Sequence, residues 1–153
     1  MPIVTEESAR TAEGDGPLGP WRTHLLGDTG GLTQFGAHLE TLEPGARSSF
    51  RHWHDAEDEF AYMLEGVLIL HEGGSETPFL PGQAACFPAG APLGHYLENR
   101  SDAPARFLMV GSRAPHDVTT YPDHDRVLHW TREGRRRRYT TLDGAPAGPP
   151  GEG

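Results

Sequence analysis

The sequence contains no lysine: all 13 of its basic residues are arginine. That excludes a lysine Schiff base, a pyridoxal phosphate anchor and a P-loop lysine. Cysteine is nearly absent. Cys86 stands alone, so no internal disulfide can form, and a reducing compartment is compatible with the chain. Beside Phe87, Cys86 reads as a small buried hydrophobe. Long apolar runs are also lacking; none approaches the roughly 18 residues of a membrane helix. The opening "MPIVTEESARTAEGDGPLGP" has early acids and no apolar stretch of the signal-peptide kind. The expected setting is the cytoplasm, with no membrane partner. Net charge is −9, from 22 acidic against 13 basic residues. A phosphate backbone is repelled by such a surface, so no nucleic-acid partner is expected.

Chain breakers are plentiful, with 20 glycines and 14 prolines in 153 residues. The length suits one domain, and the breakers favour short strands over long helices. Strands are predicted over 32–45, 48–54, 59–66, 67–72, 83–87, 94–99 and 105–112, with a further short one at "TPFL". "GGSE" marks a hairpin between the fourth and that short strand. Residues 1–20 are expected to form a flexible arm. After residue 115 the pattern is mixed; a short helical turn is predicted within 123–132. The run Arg135–Arg138 reads as a solvated basic tail, and the Pro/Gly-rich end as disordered. The fold class is all-β, as a sandwich or barrel.

The chemistry concentrates in "RHWHDAEDEFAYMLEG", residues 51–66. Side chains at i and i+2 of a strand share a face, so His52 and His54 aim two imidazoles together while Trp53 points away. A turn at 55–58 brings Glu59 back beside them, and His95 opens a later strand. Three imidazoles and one carboxylate can hold a divalent transition ion. The same residues also read as a surface histidine pair and a solvated acidic turn, and the stretch alone does not choose.

A wider pattern does. Gly45, six residues, His52, one residue, His54, four residues, Glu59, six residues and Gly66 resemble the first motif of the cupin superfamily. Gly82, Pro88, Gly90, then His95 and Asn99 resemble the second. One departure is the gap from Gly90 to His95, filled by Ala91, Pro92, Leu93 and Gly94 where the family has two residues. That lengthening reshapes the pocket rim. The resemblance covers roughly residues 32–112. It implies a double-stranded β-helix, a jelly-roll barrel, with a cupin domain over 21–115 and a C-terminal extension over 116–153. It also implies that His52, His54, Glu59 and His95 bind one divalent metal per chain. Fe(II) is favoured; Mn, Ni, Zn and Cu suit the same donors. Glu57 and Asp58 do not fit the family spacing and read as solvated.

Parity places Phe50, Ala61, Met63, Leu97 and Asn99 on inward faces, as pocket lining or ordinary core. Asn99 is expected to bond local backbone. Trp53, Phe60, Tyr62 and Leu64 point outward and want a cover, so a homodimer is expected. His24, His38, His71, His116, His124 and His129 read as surface or structural. The first functional expectation is a non-haem Fe(II) dioxygenase acting on a small molecule. The alternatives are a redox-neutral isomerase, cyclase or lyase, and a non-catalytic cupin binding metal and a small ligand. Ala61 stands where the sulfonium-acid lyases of the family carry tyrosine, and the missing lysine disfavours its sugar-nucleotide epimerases.

Overall fold

The computed structural model describes residues 3–151, and these form three antiparallel sheets. The six-stranded sheet comprises β1 (Arg10–Gly16), β2 (Gly19–Leu25), β3 (Phe35–Leu42), β10 (Ala105–Ser112), β5 (Glu59–Glu65) and β8 (Ala84–Phe87), in that order. A three-stranded sheet, β7 (Ser75–Phe79), β6 (Leu68–Glu72) and β9 (His95–Glu98), closes the barrel opposite it. The third sheet runs β14 (Pro146–Ala147), β13 (Arg136–Thr140), β12 (Arg126–Thr131), β11 (His116–Tyr121) and β4 (Trp53–His54). A one-turn helix, α1 (Leu26–Thr29), links β2 towards β3. No helix among the described residues is long and apolar enough to cross a membrane.

Period-two alternation sets the core. On β5, Ala61 and Met63 are fully buried, whereas Phe60, Tyr62 and Leu64 face outward. On β10, Ala105 and Phe107 meet them from the neighbouring strand, and Leu97, Leu68 and Phe79 complete the filling from the small sheet. The corner after β5 needs glycine twice over. Gly66 has φ +79°, and a Cβ there would lie 2.9 Å from both the Ala105 Cα and the Pro104 oxygen.

Asn99 is wholly buried and ties the end of β9 to two other segments. Its amide donates to the carbonyls of Leu42 and Ala103, each at 2.8 Å. Its oxygen accepts from the Ser101 backbone at 3.0 Å and from the Ser101 hydroxyl at 2.7 Å. Asn99→Ala strands a buried carbonyl, so a loss of about 2–3 kcal/mol is expected. Urea unfolding of the variant beside the parent measures it.

Several expectations are corrected. The segment read as a loose arm contains β1, which pairs with β2 from Arg10↔Leu25 to Gly16↔Gly19. Its glycines and acids sit on an exposed edge strand, where little apolar patterning is needed. The helical turn expected within 123–132 is instead a 3-10 turn at Pro122–His124, followed by β12. Asp125 adopts a left-handed φ of 51°, which turns the chain, and Val127, Trp130 and Thr131 prefer the strand. Arg136–Arg138 lie within β13 rather than in a tail, with Arg137 stacked 5.2 Å over the Trp130 ring. Part of the segment read as disordered forms β14; Glu152 and Gly153 lie outside the described residues. Cys86 is exposed rather than buried, because Ala85 and Phe87 take the inward positions of β8.

Candidate metal centre

Of the four side chains singled out by spacing, His52, His54 and Glu59 form one compact group of possible donors, and His95 joins it through Glu59. Glu59 opens β5, held between Phe87 of β8 and Gly111 of β10. His52 and His95 are paired through their backbones: His95 N–H donates to the His52 carbonyl at 2.9 Å, and His52 N–H to the His95 carbonyl at 3.3 Å. This two-way exchange places both side chains on the same side. His54 follows on β4. The Nε2 atoms of His95, His52 and His54 lie 2.9, 3.5 and 3.6 Å from the same oxygen of Glu59, Oε2. Adjacent donors about 2.0–2.2 Å from one ion, at octahedral to tetrahedral angles, are separated by roughly 3.0–3.5 Å. The three distances from Glu59 lie near that span.

The outer faces of the rings fix which nitrogen turns inward. His54 Nδ1 lies 2.6 Å from Asp117 Oδ2, and a carboxylate can only accept, so Nδ1 carries the proton. His52 Nδ1 donates to the Phe50 carbonyl at 2.9 Å, with the Ser49 hydroxyl 3.2 Å away. His95 Nδ1 faces the Leu93 carbonyl at 3.4 Å. Nε2 is thus the nitrogen each ring turns to Glu59; that of His95 lies at hydrogen-bond distance from the carboxylate, and a bound cation would take the place of the proton between them. Phe87 stacks on His95 at 3.7 Å with the rings nearly parallel, and Tyr121 stacks on His52 at 5.7 Å.

Electrostatics agree with that geometry. Burial alone would raise the Glu59 carboxyl, but hydrogen bonding and charge from the surrounding imidazoles hold it far below the usual carboxylate range. Burial would lower His54; the Asp117 hydrogen bond and the charges of Glu59 and Asp117 outweigh it and raise the ring. Burial, with Tyr139 and Glu59 nearby, pushes the Tyr121 hydroxyl up to about 12, so it stays neutral.

Two chambers adjoin the four residues. One, of about 170 Å³, is lined by His54, Glu59 and His95 with Trp53, Glu72 and Leu93. The other, of about 190 Å³, lies within the barrel and is lined by His52, Glu59 and His95 with His38, Glu40 and Met109. Of the residues expected to line a pocket, Leu97 borders the inner chamber. Ala61 and Met63 are core, Asn99 bonds backbone as described, and Phe50 packs on His124 at 4.2 Å. Trp53 is a correction: it borders the outer chamber instead of pointing away. β4 is only two residues long, so strand alternation has no length over which to act. Glu57 is another. It is largely buried, accepts from the Ala114 backbone at 2.8 Å and pairs with Arg132 at 2.7 Å.

The residue that spacing could not reveal is Asp117. Its side chain is 2% exposed. It accepts from the Ala56 backbone at 2.9 Å through one oxygen and from Thr119 at 3.2 Å through the other, which also holds His54. A second cluster of possible donors, His54, Glu57 and Asp117, therefore shares His54 with the first. Since His54 Nδ1 is engaged by Asp117, its Nε2 is the nitrogen left for Glu59.

The family profile described as "Cupin domain" matches residues 38–111. A structure from Silicibacter pomeroyi, described as a sugar phosphate isomerase from a cupin superfamily, is 40% identical with a TM-score of 0.87. That match covers 96% of this chain and 97% of the other. The chain belongs to the cupin superfamily. The cupin is also 30% identical to the tetracenomycin polyketide synthase protein TcmJ of Streptomyces glaucescens, over 64% of each chain. It therefore spans just under two thirds of that relative. Polyketide synthase CurC of Streptomyces cyaneus is likewise 30% identical, over 68% of this cupin and 76% of that protein.

Proposed function

We propose that this cupin is a metal-dependent enzyme for a small oxygenated molecule, with His52, His54, Glu59 and His95 holding one divalent transition ion. The observation that carries the reading is the gathering of three Nε2 atoms around one Glu59 oxygen, beside two chambers of small-molecule size. A bound ion supplies Lewis acidity to a carbonyl or hydroxyl oxygen. Redox-neutral rearrangement of a hydroxy-carbonyl compound is favoured. Support comes from the 40% identity, along nearly the whole chain, to a protein described as a sugar phosphate isomerase. Carboxylates in both chambers, Glu72 in one and Glu40 in the other, suit proton movement. The dioxygenase reading rests on the donor set, since three imidazoles and one carboxylate leave two octahedral positions.

Elemental analysis after gentle purification, then anaerobic loading with Fe(II), Mn(II) or Zn(II), separates these readings. Turnover of hydroxy-carbonyl substrates without oxygen supports the redox-neutral reaction. Oxygen uptake by the Fe(II) form with enediols or catechols supports dioxygenation instead. A protein that neither contains nor takes up a transition metal excludes both.

A homodimer belongs to the same proposal. Phe60, Tyr62 and Leu64 are 36, 37 and 41% exposed on one face of β5, beside the edge strand β8. A second copy would remove this apolar face from water. Light scattering on the eluted protein is expected to give twice the chain mass, and Tyr62→Glu to return it to one. The lone thiol is compatible with a reducing cytoplasm.

A further inference from the structure

On β3, the inward positions 38, 40 and 42 do not follow one pattern. Leu42 is fully buried core, as a barrel interior demands. His38 and Glu40 occupy equivalent positions on the same face, yet both are titratable. The Glu40 side chain is 12% exposed and that of His38 is 30%. His38 Nε2 lies 3.3 Å from Glu40 Oε2. Packing alone gives no reason for such a pair, which costs desolvation that apolar side chains would avoid. Both residues line the inner chamber together with His52, Glu59 and His95.

We infer that His38, paired with the Glu40 carboxylate, is the acid–base residue of this cupin, acting from the inner chamber on a small uncharged hydroxy-carbonyl substrate. The inference rests on the metal-centred reading above. The Glu40 carboxylate lies 3.3 Å from Nε2, close enough to favour the protonated ring, and the neutral ring keeps one nitrogen lone pair as proton acceptor. It takes the proton from the hydroxyl-bearing carbon next to the carbonyl. The C–H electron pair becomes the C=C bond of an enediol, and the carbonyl oxygen takes a proton from a water, leaving hydroxide. His38 then returns its proton to the former carbonyl carbon while the neighbouring hydroxyl gives its own to that hydroxide, re-forming water and a carbonyl. The net change moves one hydrogen between adjacent carbons, with no oxidant or reductant.

The chamber also bounds the substrate. Its volume of about 190 Å³ equals that of roughly six waters at about 30 Å³ each, room for a short polyol. Among the described residues no arginine lines either chamber, and the chain has no lysine. A phosphate or carboxylate at the reacting end would meet Glu40 and Glu59 with no side-chain cation to receive it. A bound divalent ion would have its charge balanced by Glu40 and Glu59, so the site favours a neutral reacting end.

The test uses the metal-loaded full chain and dihydroxyacetone in deuterium oxide, with carbon-bound deuterium followed by NMR. Wild-type protein should exchange the carbon-bound protons, and faster for dihydroxyacetone than for its phosphate. His38→Gln should slow exchange by about 10²–10⁴-fold while still holding one metal per chain by elemental analysis. Glu40→Gln should slow it less and serves if the first variant folds poorly. A readout independent of turnover is the His38 imidazole resonance of 15N-labelled protein, expected to move on adding dihydroxyacetone. Wild-type exchange rates in His38→Gln would overturn the assignment. So would a fully loaded wild type that neither exchanges nor shows the shift. Faster exchange of the phosphate overturns the neutral-substrate claim. A chain that takes up no metal overturns the metal-centred reading itself, and His38's role with it.

Discussion

His95→Ala is expected to leave the protein folded and unable to retain its metal. The imidazole is the nearest nitrogen to Glu59 Oε2, at 2.9 Å, so its loss removes one of the three nitrogens that face this oxygen. The backbone exchange between residues 52 and 95 survives, because alanine keeps both peptide groups. The fall in affinity should exceed the roughly 10–100-fold produced by losing an outer partner of a ligand. His52→Ala should behave alike. Elemental analysis after dialysis against a weak chelator gives the occupancy. Thermal unfolding of metal-free variant and parent separates lost binding from lost fold: the metal-free forms should unfold at similar temperatures, and only the parent should gain on adding metal.

Asp117→Asn is the second large effect. The wild-type carboxylate fixes His54 as the Nδ1–H tautomer. An asparagine of the same shape can present its amide N–H to Nδ1, which then becomes the acceptor and puts the proton on Nε2, towards Glu59. Metal affinity should drop by about 10–100-fold, read by competition with a chelator of known affinity. Asp117→Glu keeps the charge but lengthens the arm, and should also lose affinity because the bonds to Ala56 and Thr119 leave no slack. Thr119→Val, which removes one of those bonds, should show a smaller loss of the same kind.

The barrel strands were largely legible because period-two burial is a strong constraint: Ala61, Met63 and Phe107 alternate with exposed neighbours on long strands. The convergence of His52, His54, Glu59 and His95 was legible in part. Parity gave the histidine pair, but the link to residue 95 came from the likeness to a family, since no local rule pairs segments so far apart. The C-terminal sheet was missed for a physical reason. "HDVTT" buries Asp117 and Thr119 where a hydrophobic pattern looks for apolar residues, and arginines hide β13. The buried carboxylate is needed by an imidazole on another strand, so nothing near it in the sequence announces it. His38 was passed over for a similar reason. Read with Glu40 and Leu42 as one face of β3, the pair stands out; read as a lone histidine, it does not.

Asp117 also sets an order of events during synthesis. All four inward-facing side chains have left the ribosome once residue 95 has, but the carboxylate that orients His54 follows only at residue 117, and its sheet is complete only with β13. A nascent chain that met a metal earlier would hold it with one imidazole still free to turn. On the proposed metal site, full affinity would thus await completion of the last third, and a prematurely terminated chain would carry every proposed ligand yet bind the ion about 10–100-fold more weakly.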